Sequence, residues 1–257
     1  MKFEFRETQS AYTSGSQRAK AWTEQWVADW AYCPNCGNAR ITALPPNLPV
    51  ADFYCTRCQD QFELKSHKKP FGPKVADGAF FTKLERLRSD TNPNLILVNY
   101  DLAGLTVRDV SVVPKHFFVP EIVEQRKPLA ATARRAGWVG SNILLGRVPQ
   151  AGRISVVRDG EAIAKDVVLQ HWQRTLFLRN ESLDARGWLL DVMNCIESLR
   201  RSEFDIDDAY SFEHSLSRKY PNNNNVRPKI RQQLQFLRDA GYLEFTSRGR
   251  YRLISAM

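Results

Sequence analysis

Two carboxylates and an amine fall close together in the chain at Asp52, Glu63 and Lys65, a D-x10-E-x-K spacing. Residues two apart on a β-strand point to the same face, so Glu63 and Lys65 can share one site. A hairpin over residues 51 to 64 would bring Asp52 alongside them. Carboxylate oxygens suit a hard cation such as Mg2+, which binds through one or two carboxylates, waters and substrate phosphate. Such an ion neutralises phosphate charge and activates water, and a neighbouring lysine can orient that water. The chemistry these residue types point to is hydrolysis of a phosphodiester. Taken alone, the same spacing also fits a solvated strand face.

A second set of residues surrounds the first. Cys33-Pro34-Asn35-Cys36 and Cys55-Thr56-Arg57-Cys58 are separated by eighteen residues, inside the window of a tetrahedral four-cysteine zinc site. Four thiolates leave no open position, so the expected Zn2+ is structural, and the second pair forms the tip of the hairpin that carries the acids. Gly37 after the first pair suits a tight turn. A zinc deaminase would need an H-x-E motif, and none of His67, His116, His171 or His214 is followed by x-Glu. The fifth cysteine, Cys195, is expected to be a buried apolar residue.

The elements that must position these groups can be read from periodicity. Ser16 to Trp30 reads as an amphipathic helix, with Ala19, Trp22, Trp26 and Trp30 at helical spacing. A Pro-rich interruption follows the first cysteine pair, at Pro45 to Pro49. A helix is expected from about Asp77 to Ser89, with Phe80, Leu84 and Leu87 on one side. Leu95-Ile96-Leu97-Val98 is apolar on both faces, as in a central strand, and Thr106 to Val113 reads as another strand. The basic stretch from Arg126 to Arg153 reads as loop and surface. Alternating strands and helices favour an α/β (α+β) fold.

Beyond Glu181 the pattern turns helical. Trp188, Leu189, Val192, Met193, Ile196 and Leu199 mark one helix. Asp205 can cap a second carrying Ile206, Ala209, Phe212 and Leu216, and Asn225 a third carrying Val226, Ile230, Leu234 and Leu237. A hairpin follows, Tyr242 to Phe245 and Tyr251 to Leu253. Three helices and a hairpin is the order of a winged helix. Residues 222–257 hold seven basic and two acidic residues. Arg227 lies at the start of the third helix; Arg231, Gln232, Gln235 and Arg238 fall opposite its apolar face. Arginine and glutamine suit guanine and adenine edges in the major groove; Arg248 and Arg250 at the hairpin tip suit phosphate or the minor groove. A protein-binding winged helix is the competing reading.

Whole-chain properties agree with an anionic partner. The net charge is +9 over 257 residues and the pI about 9.4; a basic balance commonly accompanies nucleic-acid binding. No apolar run approaches the roughly 20 residues that span a bilayer, and the start of the chain carries no export signal. The expectation is a cytoplasmic protein without membrane contact.

These motifs carry a resemblance. Pro49-Val50-Ala51-Asp52 with Glu63-Leu64-Lys65 resembles the PD-(D/E)xK nuclease motif. More specifically, Tyr32 to Asn38, Val50 to Cys55, Phe62 to Ser66, Arg126 to Ala130, Thr132 to Trp138 and Ile230 to Gln235 resemble, in order, the DpnI-like methyl-directed (type IIM) restriction endonucleases. That resemblance implies double-stranded DNA cleavage at GATC sites carrying N6-methyladenine. It implies Asp52, Glu63 and the Leu64 carbonyl on Mg2+, with Lys65 near the attacking water. An N-terminal helix often lends such cores another acid, for which Glu24 is placed, although a plain surface glutamate is the stronger reading.

Reading one methyl group is a packing problem, worth about 0.8 kcal/mol by area, and an aromatic wall is a natural device. Trp138, in the basic stretch Arg134-Arg135-Ala136-Gly137-Trp138, is the candidate, against an ordinary core tryptophan. The expectation is therefore a PD-(D/E)xK catalytic domain with its zinc site over residues 1–181, a winged-helix DNA-binding domain over 182–257, and a monomer in solution. The alternative is a non-cleaving DNA-binding regulator that keeps the zinc and winged-helix parts.

Overall fold

The computed structural model describes residues 1–5, 14–45, 51–89 and 91–254. Pro46 to Val50, and with them most of the Pro-rich interruption and Pro49 of the motif, lie outside them. In chain order the elements are α1 (Gly15–Trp30), β1 (Thr42–Ala43), β2 (Phe53–Tyr54), β3 (Gln61–His67), β4 (Val75–Ala79), α2 (Phe80–Arg88), β5 (Asn94–Asp101), β6 (Thr106–Val113), β7 (Val123–Gln125), β8 (Gly140–Ile143), β9 (Ile154–Arg158), β10 (Glu161–Ala162), α3 (Lys165–Gln173) and α4 (Leu183–Ser198). There follow β11 (Glu203–Asp205), α5 (Ile206–Tyr210), α6 (Glu213–Lys219), α7 (Val226–Asp239), β12 (Leu243–Ser247) and β13 (Arg250–Leu253).

A seven-stranded sheet, ordered β1-β2-β3-β5-β6-β9-β10, forms the centre. Its β3–β5 pair is parallel and sets Glu63 opposite Leu95 and Lys65 opposite Leu97. Every residue of β5 but the last is buried, as its unbroken apolar run requires. Ile96 and Val98 face a cluster with Trp26 and Val27 of α1 and Val168 and Trp172 of α3. Leu95 and Leu97 face the opposite side, with Phe117, Phe118 and Ile143. Glu63 and Lys65 therefore lie on the face covered by α2 and by a second sheet, ordered β4-β8-β7.

Two expectations change here. Asp77 lies in a strand, because β4 runs to Ala79 in register with β8 and the helix begins only at Phe80. The stretch from Arg126 to Arg153 is not all surface: β8 lies within it, and Ile143, Leu145 and Val148 are buried. Its sparse apolar residues hid this, since only a few point inward from a short strand and 3-10 turns.

The C-terminal part is a winged helix. α4, α5–α6 and α7 pack around Leu189, Val192, Met193, Ile230, Leu234 and Leu237, and β11-β13-β12 form the small sheet. Asp205 makes a reciprocal capping box with Asp208, satisfying helix-end donors. The expected second helix divides after Tyr210, with Phe212 capping α6. Asn225 occupies the cap position of α7 without a side-chain cap bond. Cys195 is partly buried against this core. The apolar cluster continues without a break into the second face of the main sheet, and polar contacts join the same surfaces. Glu197 of α4 accepts the Gln150 N–H at 2.9–3.0 Å and the Tyr242 hydroxyl at 3.0 Å.

Candidate functional site

The hairpin of β2 and β3 carries a metal-ligand cluster at its tip and an acid cluster at its base. At the tip, the two C-x-x-C turns fold alike. Cys33 N–H bonds Asn38 O and Gly37 N–H bonds Cys33 O; Cys55 N–H bonds Asp60 O and Gln59 N–H bonds Cys55 O, all at 2.9 Å. Gly37 and Gln59 both sit at positive φ, +71° and +61°, a conformation natural for glycine and uncommon for glutamine. Each turn brings two sulfurs to one point, and all four Sγ atoms lie within 4.8 Å of one another. Cys33–Cys58 and Cys36–Cys55 separations are 3.6 and 3.5 Å. Tetrahedral ligation at a Zn–S distance of about 2.3 Å requires sulfurs about 3.8 Å apart, so the donor set and spacing fit structural zinc. Burial pushes the Cys33 thiol up. At Cys55 burial also pushes up, but the backbone N–H groups of Cys58 and Arg57, joined by the Cys36 and Cys58 thiols, together bring its thiol down to about 7. Asp60, buried behind the turns, accepts from Asn35 at 2.6 Å and pairs with Arg179 at 3.0 Å.

At the base, β2 begins only at Phe53, and Asp52 just before it answers the Leu64 N–H with its side chain: Oδ2 accepts at 2.7 Å, a charge-assisted bond. Asp52, Glu63, Leu64 and Lys65 line one open cavity of about 750 Å3. Glu63 and Lys65 share a face of β3, with Lys65 Nζ 2.6 Å from Glu63 Oε1. Glu24 of α1 lines the same cavity and pairs with Lys20 at 3.4 Å. Thr23 anchors the helix there through Ser66 Oγ at 3.1 Å. Among the described residues, the four cysteines alone form a close cluster of three or more metal-binding side chains.

Sequence reasoning missed two members of this site. Asp77 Oδ1 lies 2.8 Å from Lys65 Nζ, and Lys83 Nζ lies 3.0 Å from Asp77 Oδ2 and 3.3 Å from Glu63 Oε2. The signal for Lys83 was present: with Phe80 and Leu87 it falls on the inward side of α2, where a lysine needs a partner. For Asp77 the alternation with Val75 and Ala79 was masked by the helix pattern that follows.

The four charges alternate around a ring. Burial pulls the Lys65 pKa down, but Glu63 and Asp77 outweigh it and hold the ammonium above the ordinary lysine range. Burial likewise pushes the Asp77 carboxyl up, yet Lys83 and Lys65 carry it well below the usual carboxylate range. Lys65 in this arrangement is a cation that can orient water and offset phosphate charge, not a free amine. The carboxylates of Asp52 and Glu63 face an open cavity as hard oxygen donors, which suits a divalent cation.

The DNA-reading candidates fall in two places. On α7, Arg231, Gln232 and Gln235 are exposed, with Gln232 accepting from Lys229 at 2.9 Å. Arg248 and Arg250 flank Gly249 at the wing tip, exposed. Arg227 is exposed too, but pairs with Glu213 at 2.7 Å and lies over the Tyr210 ring. In the N-terminal part, Trp138 is half-buried and packs against Gly140, where any Cβ would come within 2.8 Å of its ring. It belongs to neither apolar cluster. The Arg135 guanidinium stacks over it at 4.8 Å, and Arg134 is exposed. Gly140 pairs with Ala79, so this loop adjoins the strand bearing Asp77. Trp26 and Trp188 are buried, the latter stacked on Tyr220 at 3.8 Å; Trp22 and Trp30 are partly buried.

Residues 1–181 match the family model described as the DpnI Dam-replacing family. The chain belongs to that family. The Dam-replacing helix-turn-helix domain matches residues 184–253, which comprise the winged helix, so DNA binding is a property of the C-terminal part. Family membership points to a restriction endonuclease. No helix among the described residues is long and apolar enough to cross a membrane.

Proposed function

We propose that this protein is a Mg2+-dependent, methyl-directed restriction endonuclease that cuts double-stranded DNA at GATC sites carrying N6-methyladenine. Residues 1–181 cut, and residues 182–257 read DNA together with a surface of the N-terminal part. The observation that carries the nuclease reading is the convergence of Asp52, Glu63 and Lys65 on one open cavity in a chain of the DpnI family. Asp52, Glu63 and the Leu64 carbonyl would hold the cation, which supplies charge neutralisation at the phosphate and a more acidic water. Lys65 orients that water and offsets charge developing on the phosphate oxygens. The hairpin braced by four cysteines fixes the distance between Asp52 and the β3 pair, so the geometry is set before DNA arrives.

Methyl specificity rests on the family and on two exposed reading surfaces. Arg231, Gln232 and Gln235 meet the major groove, where arginine matches guanine and glutamine matches adenine. Arg227, Arg248 and Arg250 contact the backbone, with Arg227 drawing on a side chain also engaged by Glu213. Trp138, with Arg134 and Arg135, forms the methyl-reading wall of the N-terminal part. The test is digestion of plasmid from an adenine-methylating host and of the same plasmid unmethylated. Only the methylated plasmid should be cut, and EDTA should stop the reaction. Equal cutting of both refutes methyl direction; binding without cutting favours a DNA-binding regulator.

A further inference from the structure

Lys65 is held by two carboxylates that differ in kind. Glu63 is one-fifth exposed at its side chain and lines the cavity, whereas Asp77 is 2% exposed at its side chain and lies behind the cavity wall. Both Glu63 oxygens face an ammonium, Oε1 that of Lys65 at 2.6 Å and Oε2 that of Lys83 at 3.3 Å. A cation taken up by Glu63 competes with both for its charge and lone pairs and so weakens its hold on Lys65. Were Glu63 the sole anchor, the long Lys65 stem would then be free to turn into the open cavity, at the cost of the orientation that catalysis needs. Asp77 is fixed independently. Its strand is registered on β8 with Asp77 opposite Ser141, whose buried hydroxyl donates to Gly78 O at 3.0 Å. Its burial is compensated by Lys83, 3.0 Å from Oδ2 and 5.3 Å over the Phe118 ring; a buried carboxylate stripped of partners would be strongly destabilising.

We propose that Asp77 is a positioning residue that keeps the Lys65 ammonium at the reacting phosphate while Glu63 engages the cation, and that Lys83 is the counter-charge that lets Asp77 stay buried. The proposal rests on the nuclease reading above. Asp77→Asn in the full chain should lower kcat on methylated duplex by about 10- to 100-fold and leave KM within about threefold, as expected of lost orientation. Calorimetric Ca2+ binding should stay within about threefold of wild type for Asp77→Asn, an anchor that is no ligand, and disappear for Glu63→Gln. In a Lys65→Ala background, adding Asp77→Asn should change the residual single-turnover rate by less than about twofold, since the two act as one unit.

Wild-type kcat in Asp77→Asn, a Ca2+ affinity that falls with it, or an undiminished effect in the Lys65→Ala background each overturns the proposal. If circular dichroism shows Asp77→Asn unfolded, the charge-neutral Asp77→Asn/Lys83→Met variant carries the same kcat and KM expectations, while its Ca2+ binding should not weaken, since Lys83 also faces Glu63. A wild type that binds duplex but never cuts in Mg2+ overturns the nuclease reading, and this proposal with it. A cutting wild type with an indifferent Asp77→Asn overturns this proposal alone.

Discussion

The tip and the base of one hairpin solve different problems. At the tip, four sulfurs are gathered by two short turns whose backbone bonds repeat one another. At the base, two lysines and three acids come from β3, β4, α2 and the stretch before β2, and the site exists only when those elements are stacked. Local turns make a centre that holds structure; stacked elements make one that can exchange partners. Glu63 is shared between two ammonium groups and faces an open cavity, whereas four cysteines around one ion would leave it no open position.

The comparison fails if disabling the tip leaves the fold intact. Structural zinc is worth about 10–16 kcal/mol in finger peptides, as much as the whole stability of a typical domain. Cys55→Ser, or stripping the metal with a strong chelator, should therefore abolish cooperative thermal unfolding of the N-terminal part, read by circular dichroism. Metal analysis should give one zinc per native chain. The base should behave in the opposite way: Lys65→Ala should lower cleavage by about 10²- to 10³-fold and keep a cooperative melt, lowered by a few degrees at most because Lys83 still pairs with the buried Asp77.

Acid titration sharpens the contrast by testing whether the base is what fails first. Asp77 is held below the usual carboxylate range, so its contribution is full above the unfolded carboxyl pKa and is lost progressively as the pH falls from there through its lowered value. His116 is exposed to milder acid. Burial, then Arg179, Arg186 and Lys115, bring its pKa down to about 3 from 6.5. Thr175 donates to Trp172 O, so His116 Nε2 donates to Thr175 at 2.8 Å. Between those two values the unfolded chain binds a proton that the folded chain does not. Stability should fall as pH drops below 6.5, by up to about 1.4 kcal/mol per pH unit, and His116→Gln should flatten that slope.

Smaller effects belong to the proposed reading surfaces, which serve neither centre. Arg231→Ala or Gln235→Ala should each weaken binding to methylated duplex by about 1–3 kcal/mol, measured by anisotropy without Mg2+, with unchanged melting. Trp138→Ala should narrow the preference for methylated over unmethylated duplex by about fourfold, the worth of one buried methyl. A variant that lowered both affinities equally would make Trp138 a general DNA contact.

Where the answer lay within a few residues of chain, the sequence carried it. The C-x-x-C spacing foretold the four-sulfur cluster, the E-x-K alternation the shared face of β3, and the helical stripes α1, α4 and α7. What stayed hidden depended on layering. Asp77 reads as the start of a helix until β8 pairs with its strand, and Lys83 reads as a surface lysine until Phe118 and two carboxylates surround it. Residue types and their spacing determined which chemistry and which metal this chain could support, because strand and turn geometry act over two to four residues. Tertiary structure alone decided which charges would be paired, since a carboxylate and an ammonium attract according to their distance and burial, neither of which is a property of neighbours in sequence.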